Sequence, residues 1–250
     1  MNLATPSPLQ PLLLSAVLNI FPALLLLLSA AGAMVSVFQL PVGYVVQSIA
    51  VFVGLLLVLL PFLPQHRPRE RFGAANAVTL LRAGIAALIA GLIGQPSLMP
   101  TLAWFITVLA GIALILDGVD GWLARRNQTQ SPFGARFDME VDAFLILVLA
   151  ALIYQTEKAG VWILLSGAMR YGFVALGYVL PWLCQPLPPR KRRQTICVLQ
   201  TAILALCLLP PLVPPWTSLL AAIALGLLTL SFAADAVWLA RHTYRSDQGT

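Results

Sequence analysis

Four aspartates near the middle of the chain have a spacing suited to binding metal ions. They are Asp117, Asp120, Asp138 and Asp142, in the pattern D-x2-D-G-x2-A-R-x8-G-x3-D-x3-D. This pattern fixes eight positions over 26 residues, and the segment contains five of the nine acidic residues of the chain. Such a concentration of negative charge is costly at a membrane boundary unless a cation neutralises it. A single aspartate near a helix end is usually a cap, but the complete spacing favours a functional site.

The pattern predicts two successive helices whose acidic faces meet. Each helix would carry two carboxylates and at least one small residue on the same face. The first face comprises Asp117, Asp120, Gly121 and Ala124, and the second comprises Gly134, Asp138 and Asp142. If a short turn joins the helices, the carboxylates converge on a groove that a flat or phosphorylated ligand can approach closely.

Ligands that are oxygen atoms alone favour Mg²⁺ or Mn²⁺ over zinc. Two such ions sharing carboxylates can clamp a pyrophosphate and stabilise both the attacking and the leaving oxygen. Asp142 is the aspartate furthest along its helix from the turn. We therefore interpret Asp142 as the general base for an incoming hydroxyl group.

The elements that position these aspartates are predicted to be membrane helices. Of the 250 residues, 60% are hydrophobic and 10% are charged, which is well below the charged fraction of soluble domains. Eight segments have about the length and polarity of a crossing helix. They are residues 12–33, 43–63, 77–94, 98–123, 136–155, 160–183, 195–213 and 217–240. The sequence does not show the alternation of polar and apolar residues that the strands of a barrel need. The predicted fold is therefore an all-α polytopic membrane helical bundle.

The distribution of basic residues predicts the orientation of the bundle. If residues 64–75 are cytosolic, 12 of the 15 Lys and Arg residues lie in cytosolic segments. Lys158 is the one basic residue on the opposite side, whereas Arg82 and Arg170 lie within spans. By the positive-inside rule, both termini and the aspartates are expected at the cytosolic face.

Several other classes of site are disfavoured. The basic residues form short clusters rather than one continuous face, so nucleic acid is not an expected partner. Cys184, Cys197 and Cys207 have neither zinc spacing nor a disulfide framework and are interpreted as buried thiols. His66 and His242 flank hydrophobic segments, where packing at the membrane interface is the expected role.

The aspartate pattern resembles, at every fixed position, the signature of the CDP-alcohol phosphatidyltransferases, integral membrane enzymes of phospholipid synthesis. The resemblance implies that the four aspartates bind two metal ions and that Asp142 also acts as the base. It further implies that the CDP pocket is lined by Gly121, Ala124, Arg125 and Gly134. One span earlier, Asn76, Thr79 and Arg82 are similar to the family's nucleotide-contacting positions, although capping and an interfacial arginine would also explain them.

The resemblance also implies an organisation for the whole chain. Residues 67–245 are expected to form a six-helix core, usually homodimeric, with its site open to the cytosol. Residues 1–66 supply two additional N-terminal transmembrane helices that are interpreted as packing, dimerisation or lipid-gating elements. We expect a membrane with a cytosolic face, such as the bacterial inner membrane.

The reaction implied is attack of an alcohol on the β-phosphate of a CDP-activated lipid, most simply CDP-diacylglycerol, with release of CMP. Arg170, which should face the bundle interior, either pairs with a motif aspartate or binds an anionic acceptor. The cluster from Arg190 to Arg193 is either a topology signal with affinity for anionic lipid or a docking site for a phosphorylated polyol. We favour glycerol 3-phosphate as the acceptor, ahead of serine, choline, an inositol compound or phosphatidylglycerol.

Two other classes of protein are considered. An intramembrane prenyltransferase also uses two aspartate-rich helices and Mg²⁺, but its motifs normally lie far apart in a larger bundle. An ion-coupled transporter would use carboxylates at the bilayer midplane and often shows inverted repeats, neither of which the sequence indicates.

Overall fold

The computed structural model describes residues 9–180, residue 182 and residues 191–247. Within them the chain forms α-helices and short 3-10 segments, with no strand, so the predicted all-α class is confirmed. The helices are α1 (Leu9–Phe38), α2 (Gly43–Leu59), α3 (Ala74–Ala90), α4 (Met99–Arg126), α5 (Pro132–Gln155), α6 (Leu165–Val179), α7 (Lys191–Cys207) and α8 (Trp216–Asp247). The 3-10 segments are Leu60–His66, Pro96–Leu98 and Val161–Leu164.

Five of the described helical segments are long and apolar enough to cross a bilayer. They are Leu9–Phe38, Gly43–His66, Pro96–Arg126, Val161–Val179 and Trp216–Ala240. The shorter α3 is also apolar, and its 17 residues extend about 26 Å at 1.5 Å per residue. The chain is therefore a multi-pass integral membrane protein.

Proline explains why α2 ends where it does. Pro61 has no backbone N–H to continue the α-helical hydrogen bonds, and α2 ends at Leu59. The chain then continues as the 3-10 segment Leu60–His66. Pro22, by contrast, lies inside α1, which continues through it to Phe38. Of the two prolines, only Pro61 coincides with the end of an α-helix.

The described chain divides into two compact units. The first consists of residues up to Gln95 together with Val108–Asp142, and the second of Pro96–Thr107 together with the chain from Ala143 onward. The first unit contains α1 to α3 and the facing ends of α4 and α5 around their connecting turn. All four motif aspartates belong to this unit.

Within the first unit, α2 packs closely against the end of α3. The hydroxyl of the buried Tyr44 donates a hydrogen bond to the carbonyl of Leu88 at 3.0 Å. Gly91, which follows α3, leaves no room for a side chain, since a Cβ there would lie 2.7 Å from Cε2 of Tyr44. Helix α2 is thereby fixed to the helix that carries Arg82.

Lys158 ties together three segments of the second unit. Its ammonium group donates hydrogen bonds to three successive carbonyls at and just after the end of α7, those of Cys207, Leu208 and Leu209, at 3.1, 3.1 and 2.5 Å. The backbone carbonyl of Lys158 accepts hydrogen bonds from Thr217 and Ser218 at the start of α8. A cation near a helix C-terminus interacts favourably with the carbonyls there.

The cysteines conform partly to expectation. Cys207 is buried and Cys197 is partly buried, and neither of these two belongs to a disulfide. Cys184 lies outside the described residues, as does the side chain of His242.

Candidate active site

Arg82 lies at the centre of the aspartate cluster. Helix α3 carries Asn76, Thr79 and Arg82 at every third position, so these three side chains follow one face of the helix. All three are buried, and the side chain of Arg82 is only 2% exposed. A charged group this deeply buried requires partners of opposite charge.

All four motif aspartates supply those partners. Nη2 of Arg82 lies 2.9 Å from Oδ1 of Asp117, and Nη1 lies 2.8 Å from Oδ2 of Asp120. Nη1 also contacts Oδ1 of Asp138 at 2.5 Å, and Nη2 pairs with Oδ1 of Asp142. The acidic faces of α4 and α5 are therefore turned towards each other, as the spacing predicts.

A tight turn brings the two acidic faces together. It comprises residues 127–131, and its backbone closes through the hydrogen bond from the N–H of Thr129 to the carbonyl of Ala124 at 2.9 Å. Gln128 has a φ of 53°, in the left-handed region that allows the chain to reverse sharply. Because the turn is short, Asp117 and Asp120 of α4 meet Asp138 and Asp142 of α5.

The aspartates differ in exposure. Asp120 is the most deeply buried, with 4% of its side chain exposed, and its Oδ2 accepts a hydrogen bond from Oγ1 of Thr79 at 2.9 Å. The side chains of Asp117 and Asp142 are 23% and 22% exposed, and that of Asp138 is 41% exposed. Asp120 is thus anchored inside the bundle, while the other three carboxylates can be reached from outside.

The side chains fit a hard divalent cation. Asp117, Asp120 and Asp138 each offer a carboxylate oxygen, and these oxygens lie within 4.8 Å of one another. Four carboxylates against one guanidinium leave a formal charge of −3 on the five side chains. Oxygen ligands and excess negative charge are the features that Mg²⁺ and Mn²⁺ favour. This part of the chain could therefore hold metal in addition to Arg82.

The two glycines of the motif lie where neighbouring side chains closely approach the backbone. A Cβ added to Gly134 would come within 3.0 Å of Oδ1 of Asn76 and 3.3 Å of Oγ of Ser131. At Gly121 a Cβ would come within 3.2 Å of Nη1 of Arg125. Gly134 thus faces α3, and the Arg125 side chain lies beside Gly121. Their assignment to a CDP pocket stays a prediction.

The residues considered for the acceptor belong to the second unit. Arg170 lies in α6, and its predicted partner, an aspartate or an acceptor, stays a prediction. Nε of Arg193 lies 3.8 Å from Oδ2 of Asp235, whose Oδ1 pairs with Arg192 at 2.6 Å. Arg190 lies outside the described residues.

A contact of His66 at the site was also not expected from the sequence. His66 is buried and hydrogen-bonded to Ser131, and Ser131 precedes the first residue of α5. The sequence contains one usable signal: Ser131 followed by Pro132 is the combination favoured at a helix N-terminus. It predicts a start at residue 132, whereas hydropathy alone placed the start of this span at residue 136.

Comparison with known proteins identifies the class of this site. The family model described as CDP-alcohol phosphatidyltransferase matches residues 72–232, which is more than half of the chain. The chain therefore belongs to the CDP-alcohol phosphatidyltransferase family. No curated protein and no solved structure matches it.

Membership of this family defines the kind of chemistry. The family transfers a phosphatidyl group from a CDP-alcohol in lipid synthesis and depends on metal ions. The matched stretch includes all four aspartates as well as Asn76, Thr79 and Arg82. The chain is accordingly a membrane-embedded transferase of lipid biosynthesis.

Proposed function

We propose that this protein transfers the phosphatidyl group of CDP-diacylglycerol to a small alcohol and releases CMP. The observation that carries the proposal is the convergence of four carboxylates from two helices on one point beside α3. Such a cluster can neutralise a pyrophosphate through divalent ions, which a CDP-linked donor requires. A lipid-linked donor also suits a protein whose helices are embedded in the bilayer.

The four aspartates would hold two Mg²⁺ or Mn²⁺ ions, whose positive charge would neutralise the pyrophosphate and the leaving CMP. Asp142, partly exposed at 22%, takes the proton of the attacking hydroxyl group. Arg82 and Thr79 hold Asp120 in place through the ion pair and hydrogen bond described above. The pocket for the CDP part is formed by Asn76, Thr79 and Arg82, with Gly121, Ala124, Arg125 and Gly134.

The acceptor proposed is glycerol 3-phosphate. Arg170 lies within a helix long and apolar enough to cross the membrane, and Arg193 lies near the start of α7. Arginine binds phosphate through paired hydrogen bonds, so these two residues are suited to a phosphorylated alcohol. Serine, choline, an inositol compound and phosphatidylglycerol are the alternatives that share the same chemistry.

The proposed organisation has two parts. Residues 1–66 form an N-terminal helix pair outside the core, and residues 67–245 form the six-helix core. The family match, which begins at residue 72, supports this division. The excess of basic residues in alternate connectors supports a site and both termini on the cytosolic side, in a membrane such as the bacterial inner membrane. The protein is proposed to act as a homodimer.

One assay tests the donor and the acceptor together. Purified protein in detergent or nanodiscs is incubated with CDP-diacylglycerol, Mg²⁺ or Mn²⁺, and a panel of alcohols. CMP release and mass spectrometry of the lipid product are measured for each acceptor. We expect phosphatidylglycerol phosphate from glycerol 3-phosphate. Activity with free serine or choline alone would contradict glycerol 3-phosphate as the acceptor. A lack of CMP release with every alcohol would contradict CDP-diacylglycerol as the donor.

A further inference from the structure

The segment that joins α2 to α3 contacts the turn between α4 and α5 at several independent points. We call residues 60–73 the connector; most of it precedes residue 72, where the family match begins. The turn consists of residues 127–131 and leads into the acidic face of α5. His66 and Arg69 contact the turn through hydrogen bonds, and Phe62 contacts α5 through a cation–π interaction.

The contact of His66 has a defined hydrogen-bond direction. Its Nε2 lies 3.0 Å from the carbonyl oxygen of Arg71, which can only accept, so Nε2 carries the proton. In the neutral ring Nδ1 is then an acceptor, and it lies 2.6 Å from Oγ of Ser131. The Ser131 hydroxyl therefore donates to His66. The imidazole is 1% exposed and lies edge-on to Phe133 at 5.9 Å between ring centroids.

Ser131 is also hydrogen-bonded to the start of α5. Its Oγ accepts a hydrogen bond from the backbone N–H of Gly134 at 3.0 Å, which is the usual N-cap interaction with the third residue of a helix. The hydroxyl group thus donates its one proton to Nδ1 of His66 and accepts from the backbone N–H of Gly134 in α5. Gly134 is itself a motif residue, one helical turn before Asp138.

Two further contacts hold the same region. Nη2 of Arg69 donates to the carbonyl of Gln128, in the turn, at 2.7 Å. The guanidinium of Arg136, in the first turns of α5, lies 3.5 Å from the centroid of the Phe62 ring. A cation this close to an aromatic face is attracted to it. The connector therefore contacts the turn, the cap and the body of α5.

We infer that His66 is a positioning residue that acts through Ser131 on the two aspartates of α5. The inference rests on the proposed function, for which Asp138 and Asp142 must face Asp117 and Asp120 closely enough to share metal. Sites of this kind tolerate misplacement of only about 0.5 Å before function suffers. A buried hydrogen bond to the N-cap fixes where α5 begins, and with it the position of both carboxylates.

The two amide replacements of His66 separate its two hydrogen bonds. Asparagine places a carboxamide oxygen near the position of Nδ1, so His66→Asn can still accept from Ser131. Glutamine reaches the position of Nε2, so His66→Gln can still donate to Arg71 but loses Ser131. His66→Ala and Ser131→Ala each remove the contact from one side.

The experiment measures the dissociation constant of Mn²⁺ by calorimetry on the purified full chain, without any lipid substrate. We expect His66→Ala, His66→Gln and Ser131→Ala to raise this constant about tenfold, the lower range for residues that orient metal ligands. The dissociation constant of His66→Asn should stay near that of the unaltered protein. The double variant His66→Ala/Ser131→Ala should lose no more Mn²⁺ affinity than either single variant, because both substitutions remove the same contact.

Ser15→Ala is the matched control. It removes the 3.0 Å hydrogen bond that Oγ of Ser15 accepts from the N–H of Phe72, a contact of the connector with α1 instead of α5. A general loss of stability would affect Ser15→Ala and His66→Ala alike, whereas positioning of α5 affects only the latter. Unchanged Mn²⁺ affinity in His66→Ala, equal effects of Asn and Gln, or absence of Mn²⁺ binding by the unaltered protein would overturn the inference. Failure of the proposed function is separate, since it is a lack of CMP release by protein that binds Mn²⁺.

Discussion

Arg82 and Asp120 form an ion pair that is almost completely withdrawn from solvent. Nη1 of Arg82 lies 2.8 Å from Oδ2 of Asp120, and the side chains are 2% and 4% exposed. Desolvating both groups is costly, and three further carboxylates on the same guanidinium offset part of that cost. Arg82 is thus the internal counter-ion of the site.

Replacing Arg82 should therefore destabilise the protein chiefly when metal is absent. Arg82→Met leaves the carboxylates without their cation, and we expect a loss of about 3–5 kcal/mol of unfolding free energy in EDTA. Saturating Mg²⁺ should recover much of this loss, because a dication can take over the neutralising role. The measurement is unfolding in detergent, with EDTA and with Mg²⁺.

Arg126→Met is the control for this prediction. Arg126 is exposed and lies over the ring of Trp122, outside the aspartate cluster. Its replacement should change stability little, and equally with or without metal. An Arg82→Met protein as stable in EDTA as the unaltered one would contradict the role of internal counter-ion.

Neutralising either aspartate of α5 should stop the reaction and leave the fold intact. We expect Asp138→Asn and Asp142→Asn to reduce CMP release at least about 100-fold, since each removes a carboxylate needed for metal or for proton transfer. Thermal unfolding should remain cooperative. Glu140→Gln makes the same chemical change between them on the helix and should retain activity. Appreciable turnover in either aspartate variant would refute the assignment of that residue.

The hydroxyl of Thr79 should matter through Asp120. Thr79→Val keeps the size of the side chain but removes the donor that lies 2.9 Å from Oδ2 of Asp120. A buried hydrogen bond to a charged group contributes about 1.5–3 kcal/mol, so stability should fall by roughly that amount. Thr79→Ser retains the hydroxyl and should lose much less. Denaturation in EDTA compares the two, and equal losses would mean that the hydrogen bond contributes nothing.

Gly167 provides a test of helix packing away from the site. A Cβ at Gly167 would lie closer to Cα of Leu147 than two carbon atoms can approach, so α5 and α6 touch there through backbone. Gly167→Ala should cost about 1–3 kcal/mol, because one of the helices must move. Gly172→Ala, in the same helix with nothing within 4 Å of the added carbon, should be neutral or stabilising by up to about 1 kcal/mol. Thermal unfolding of both variants distinguishes local packing from a general intolerance of α6.

The sequence predicted the acidic faces because helical spacing is a local property. Asp117 and Asp120 lie one turn apart, as do Asp138 and Asp142, and both pairs face inward as expected. Hydrophobicity also located the helices, although α5 begins before the predicted residue 136 because Ser131 and Pro132 start it.

The partner of Arg82 could not be predicted from spacing. Its carboxylate partners lie 35 to 60 residues away along the chain, and a buried arginine within a span is equally consistent with a ligand contact. His66 illustrates the same limit, because its hydrogen bond to Ser131 joins residues 65 apart. Which helices meet is decided by tertiary packing, and no periodicity in the sequence encodes it.

The single ammonium group of Lys158 has a consequence for biosynthesis. Its acceptors follow it by about 50 residues, and the hydroxyls that hold its carbonyl follow by 59 and 60. The ribosome must therefore have passed residue 218 before all the hydrogen bonds among these three chain segments can form. The carbonyls that accept from the ammonium group are complete once Leu209 is made, and the hydroxyls that hold the carbonyl of Lys158 follow only with Thr217 and Ser218, so closure of this unit belongs among the last events in the maturation of the nascent polypeptide.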